Sequence, residues 1–101
     1  MEKIIRFSNE GEIDPLKVKN AVYSRIDFAL PESIWDEIDN GFRVCWNEEI
    51  GLRGWIYEGE IEKSIGTYLK NQKILIDDDK IEKIVGIMLD NIEISGGFLN
   101  E

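Results

Sequence analysis

The side chains of this chain that could do chemistry are carboxylates and aromatics: 21 Asp and Glu, three Trp, three Tyr, one Cys and no His. The absence of histidine excludes Ser/His/Asp and Cys/His nucleophilic sites, histidine-ligated zinc or iron, and an imidazole pH switch. Cys45 alone leaves no internal disulfide, no CxxC redox pair and no multi-cysteine metal site. GxGxxG, GxxxxGK[ST] and GxSxG are all missing, so no motif supports nucleotide binding or a hydrolase.

Asp77, Asp78, Asp79 and Glu82 gather four carboxylates in one short stretch, the donor type that calcium or magnesium takes. The Asp-x-Asp-x-Asp-Gly order of an EF-hand is missing, however. Acids ahead of a helix cap its free N–H groups and favour its positive end, and Asp79 to Glu82 has capping-box spacing. Capping is therefore the preferred reading, and no metal or cofactor is expected. The pairs Glu48/Glu49 and Glu58/Glu60 could serve general acid–base or glycosidase chemistry, but 21 acids in 101 residues produce such pairs by chance. Gly51-Leu52-Arg53-Gly54 matches the bare GxxG of a KH loop. Glu48, Glu49, Glu58 and Glu60 surround its single arginine, so these glycines read as turn residues. Cys45 lies between Val44 and Trp46 with no cation beside it, which makes it a small core residue rather than a nucleophile.

The acids are unevenly spread. Residues 1–28 are balanced, residues 61–101 carry eight acids against five lysines, and residues 29–60 carry eight acids against two arginines. That middle third also holds Trp35, Trp46 and Trp55. With a net charge of -9 and a pI near 4.5, the chain is expected to repel phosphate backbones and anionic membranes, so neither nucleic acid nor a membrane is a predicted partner.

The elements that must position these residues follow from periodicity. Residues 3–8, KIIRFS, read as a strand ending in the turn Asn9-Glu10-Gly11. Asp14-Pro15 supplies an N-cap and a proline at the first helical position, and Leu16, Lys19, Val22, Tyr23 and Ile26 predict a helix over 15–27. A second helix follows Leu30-Pro31, with Ile34, Trp35 and Ile38 on one face and Asn40-Gly41 as its stop. Residues 42–57 allow two readings. With period 2 they form a hairpin, Phe42-Val44-Trp46 and Leu52-Gly54-Ile56 sharing one side. With period 3.6, Phe42, Cys45, Trp46 and Ile50 extend the second helix. The Asn-Gly pair and the β-formers of the second run favour the hairpin. After Gly59 a helix carries Ile61, Ile65, Tyr68 and Leu69 inward and ends near Asn71. Residues 73–76, KILI, read as a buried linker or short strand. A final helix over 79–94 carries Ile81, Ile84, Val85, Met88, Leu89 and Ile92 on one stripe, stopped by Gly96-Gly97.

The expected fold is a single domain over 1–101 of α+β class: about four helices packed on a small antiparallel β-sheet made of the N-terminal strand and the 42–57 hairpin. An all-α bundle is the alternative. Trp35 is expected in the core. Trp55 points away from Phe42, Val44 and Trp46 in the hairpin register, alongside Arg53 and Tyr57, either exposed as a binding hot spot or covering the second face of the sheet. The partner-binding residues are accordingly Glu48, Glu49, Arg53, Trp55, Tyr57 and Glu58. The expected function is that of a small acidic, non-enzymatic binding module, monomeric or a small dimer. Its concrete form is an inhibitor of the bacterial immunity or phage anti-defence type, blocking a basic nuclease or toxin that acts on nucleic acid. The alternatives are a subunit that self-associates through an apolar helix face, such as that of the final helix, and a small enzyme. One unpaired thiol, and no apolar run of signal-peptide or membrane-spanning length, make the cytoplasm the expected compartment.

Overall fold

The computed structural model describes residues 4–7, 13–94 and 98–99. The expected turn at Asn9–Gly11 and the Gly96-Gly97 stop lie outside them. Over the described residues the fold is α+β and mostly helical, with four helices on a small antiparallel sheet.

Strand β1 (Ile4–Phe7) is β-branched and aromatic, and buries Ile5 completely. Helix α1 (Pro15–Arg25) starts where Asp14 Oδ1 accepts from the N–H groups of Leu16 and Lys17, with Pro15 in the first turn. It stops at Ile26, whose backbone is extended, two residues earlier than its apolar spacing suggested. Val18 and Val22 face the core, whereas Leu16, expected on that face, is 64% exposed.

Helix α2 (Glu32–Cys45) buries Trp35, Ile38, Phe42 and Cys45. It does not stop at Gly41. A π-helical turn (Trp46–Ile50) and a last α-turn (Gly51–Arg53) carry it on to Gly54, whose φ of 77° ends it in the left-handed region. The first arm of the expected 42–57 hairpin is therefore helix, and the period-3.6 reading is the correct one over residues 42–53. Gly41 is needed for close approach rather than for a turn: a Cβ there would lie 3.2 Å from the Cβ and ring of Tyr68. The π-turn has a phase argument behind it. At 3.6 residues per turn Ile50 falls about 120° around the helix from Ile38, at the edge of the apolar stripe beyond Trp46. A π-turn winds fewer degrees per residue and returns Ile50 to the core, where it is buried.

Strand β2 (Trp55–Tyr57) is what survives of the hairpin's second arm. It pairs antiparallel with β1, Ile4 opposite Tyr57, Ile5 opposite Ile56 and Arg6 opposite Trp55. The backbone of β3 (Phe98–Leu99), not foreseen from the sequence, pairs with the other edge of β1, giving the order β2-β1-β3. Helix α3 (Glu58–Asn71) follows β2 directly and packs on α2 with Ile61, Ile65 and Leu69 buried. Its end has the geometry of a Schellman motif, with the Ile74 N–H bonded to Leu69 O, the Lys73 N–H to Lys70 O, and Lys73 itself at φ 60°.

Helix α4 (Asp78–Ile94) packs on α1 and α3. All six expected stripe residues are buried, and Ile87 joins them. That stripe belongs to the chain's own core, so it offers no face for self-association. Asp77 stands at the helix start, its carbonyl accepting from the Lys80 and Ile81 N–H groups. Asp78 and Asp79 thus lie in the first turn, where negative charge is favoured, and the Asp79–Glu82 spacing is not a capping box. Among the described residues no three His, Cys, Asp or Glu side chains converge on a metal position, and no helix is long and apolar enough to cross a membrane.

Candidate functional site

Strand alternation decides the site. Ile56 enters the core opposite Ile5, so Trp55 and Tyr57 stand on the outer face of the sheet together with Ile4 and Arg6. Trp55 is half-buried and Tyr57 is 36% exposed. Their rings meet edge to face with centroids 5.4 Å apart. Gly54 turns the chain back on itself, which lays Arg53, the last residue of the α2 extension, over Trp55 with its guanidinium carbon 4.3 Å from the indole centroid.

Glu60, in the first turn of α3, fixes this arrangement. Its two carboxylate oxygens accept from Arg53 Nη1 and Nη2 at 3.2 and 3.3 Å, a bidentate pair. One of them also accepts from the Tyr57 N–H at 3.0 Å, capping α3. Glu49, in the π-turn, adds a contact of 3.4 Å to Arg53 Nη1. The hydrogen bonds from Arg53, and then from the Tyr57 N–H, hold the Glu60 carboxyl below its ordinary value, and Glu60 in turn raises the Arg53 guanidinium.

Of the residues singled out in the sequence, Glu49, Arg53, Trp55 and Tyr57 form this cluster. Glu48 is exposed at its edge, on the rim of an α2–α3 groove of about 480 Å³ that Glu49, Glu60, Lys63 and Tyr68 also line. Glu58 is not with them. It lines a different groove of about 790 Å³ with Glu62, Asp79, Glu82 and Asp90, crossed by the Arg25–Asp90 ion pair. Glu60 was missed as a site residue. Its signal is the Tyr57-x-x-Glu60 spacing, a capping relation hidden when Tyr57 is read as the last residue of a hairpin and the helix as starting only after Gly59. Trp35 is core at 4% exposure, and the half-buried Trp46 stacks on Phe42 at 5.6 Å. Cys45 is buried, and desolvation pushes its thiol up despite an opposing hydrogen bond with Ser64.

No protein-family model matches this chain, nor does any curated protein sequence or any solved structure. The functional reading rests on the geometry of this surface.

Proposed function

We propose that the chain is a protein-binding module that uses the outer face of its sheet, with Trp55, Tyr57 and Arg53 as anchors and Glu48 and Glu49 as a charged rim. The observation that carries this reading is the clamp on Arg53. A guanidinium held by two carboxylates and lying over an indole presents an amphipathic surface that is already partly ordered before any partner arrives, which lowers the entropy cost of binding. Tryptophan, tyrosine and arginine are the residue types that dominate binding hot spots. The concentration of acid in residues 29–60 favours a basic partner, steered by long-range attraction. The concrete form is an inhibitor, of the immunity or anti-defence kind, that covers the phosphate-binding surface of a nuclease or toxin.

The test is affinity capture from the native host's lysate with elution by salt and identification by mass spectrometry. Recovery of one basic, nucleic-acid-acting protein is expected, lost with a Trp55→Ala/Tyr57→Ala double variant and weakened by Glu48→Lys, with folding checked by circular dichroism. Capture that persists undiminished in the double variant would remove this face from the function.

A further inference from the structure

The loops joining α1 to α2 and α3 to α4 meet at one end of the helices and form an apolar surface of their own. Phe28, Ala29, Pro31, Ile34 and Ile76 line a groove of about 360 Å³ there, and Leu75 stands at its rim, 95% exposed. Leu75 is held out by structure. The Schellman turn at Lys73 fixes the chain direction after α3, and Ile74 and Ile76 on either side of Leu75 pack against the core. In extended backbone the residue between two inward-facing neighbours faces outward. The chain therefore displays a leucine and, immediately beside it, an apolar depression.

We propose that this end of the molecule is a self-association surface, Leu75 of each copy entering the groove of a second copy beside Phe28, Ala29 and Ile34. A protrusion and its receptor on one face allow the same contact to be made twice about a two-fold axis, which closes the assembly at a dimer. Charge points to the same occupant. Two copies with a net charge of -9 repel across most of their surfaces, whereas the charged residues lining this groove are one acid and one base, Asp77 and Lys80. Lys80 lines the groove with its ammonium 5.3 Å from the Phe28 ring centroid, and its charge offsets that of Asp77. The surface is independent of the sheet face. Residues 32–53 run as one helix from the Pro31 end to the Trp55 end, about 33 Å at 1.5 Å per residue, so the dimer leaves both Trp55 faces free.

Sedimentation velocity of the full chain from ~10 μM to ~1 mM tests this, a range suited to a small, weak interface. The mass is expected to rise from 11.7 kDa toward twice that value as concentration increases. Leu75→Glu should hold it at the monomer, and Leu75→Met should restore dimerisation. Leu75 makes almost no contact within its own chain, so both variants should keep the parent circular dichroism spectrum. A monomer at every concentration, which would leave the patch to another protein, or a dimer that Leu75→Glu does not weaken, overturns the proposal.

Discussion

Arg53 and Trp55 are two residues apart, and the Arg53 guanidinium lies over the Trp55 ring, its carbon 4.3 Å from the centroid, because the residue between them, Gly54, adopts φ 77°. A planar guanidinium meets both the indole face and the Glu60 carboxylate in a way a lysine ammonium does not match. Arg53→Lys should therefore keep the charge and lose the stack and the bidentate pair. In a ¹H–¹⁵N spectrum the Trp55 indole resonance should move and broaden while that of the buried Trp35 stays in place. An unmoved Trp55 signal would mean that Arg53 does not order it.

Acid should release the same clamp. Glu60 has a folded-state pKa below its unfolded value, so its contribution to stability is complete above the ordinary glutamate range of about 4.3 and is lost as pH falls through the lower folded value. Following the Glu60 carboxyl carbon by NMR should give a midpoint below that of a free glutamate, and the Trp55 indole should shift with the same midpoint. Glu60→Gln should reproduce the low-pH spectrum at neutral pH. A Glu60 midpoint at the ordinary value would remove the clamp from the account.

Much of this fold is legible in the sequence because local and global signals agree. The Asp14-Pro15 start, the Asn71 end and the α4 stripe are each set by a few neighbouring residues. The 42–57 segment misleads because short apolar runs fit both periods, and what decides between them is non-local: Gly41 sits against Tyr68 on another helix, and Ile50 is buried in the core at the end of a π-turn. The site was legible in its residue types, Arg53, Trp55 and Tyr57, and in their common side. Their link to Glu60 was not, because it depends on α3 beginning directly after Tyr57. Likewise the KILI segment looked uniformly buried, since nothing local marks Leu75 as the outward member of an extended run.

Lys73 occupies the left-handed position of the Schellman turn, where a Cβ costs roughly 1–2 kcal/mol. Part of that gain is offset by the greater unfolded-state freedom of glycine. Lys73→Gly is expected to stabilise the chain by about 0.5–1 kcal/mol, raising the thermal midpoint by several degrees in a domain of this size. An unchanged or lowered midpoint in calorimetry would count against the turn geometry.

Two helical glycines should respond with opposite signs. A Cβ at Gly86 meets nothing within 4 Å, so Gly86→Ala should stabilise by about 0.5–1 kcal/mol through helix propensity. At Gly41 the opposing atoms include the Cβ of Tyr68, which moves only with the α3 backbone, so Gly41→Leu must push α2 from α3 and should cost about 1–3 kcal/mol. Urea titrations of both variants would show the split. Equal effects would mean that the α2–α3 contact is looser than 3.2 Å implies.

Cys45 offers a readout of these changes without a new label. Its side chain is buried at 3% exposure between α2 and α3, and desolvation raises its thiol pKa, so in the native state it combines little access with little thiolate. Alkylation by iodoacetamide must then pass through an opened form, and its rate follows the population of that form when reclosing is fast. Gly86→Ala should slow labelling by up to about fivefold if it adds about 1 kcal/mol, and Gly41→Leu should speed it by a factor of about 5 or more. Mass spectrometry at fixed intervals measures both. Labelling of the parent chain at the rate of a free thiol, or a rate indifferent to both substitutions, would place Cys45 outside the packed α2–α3 contact.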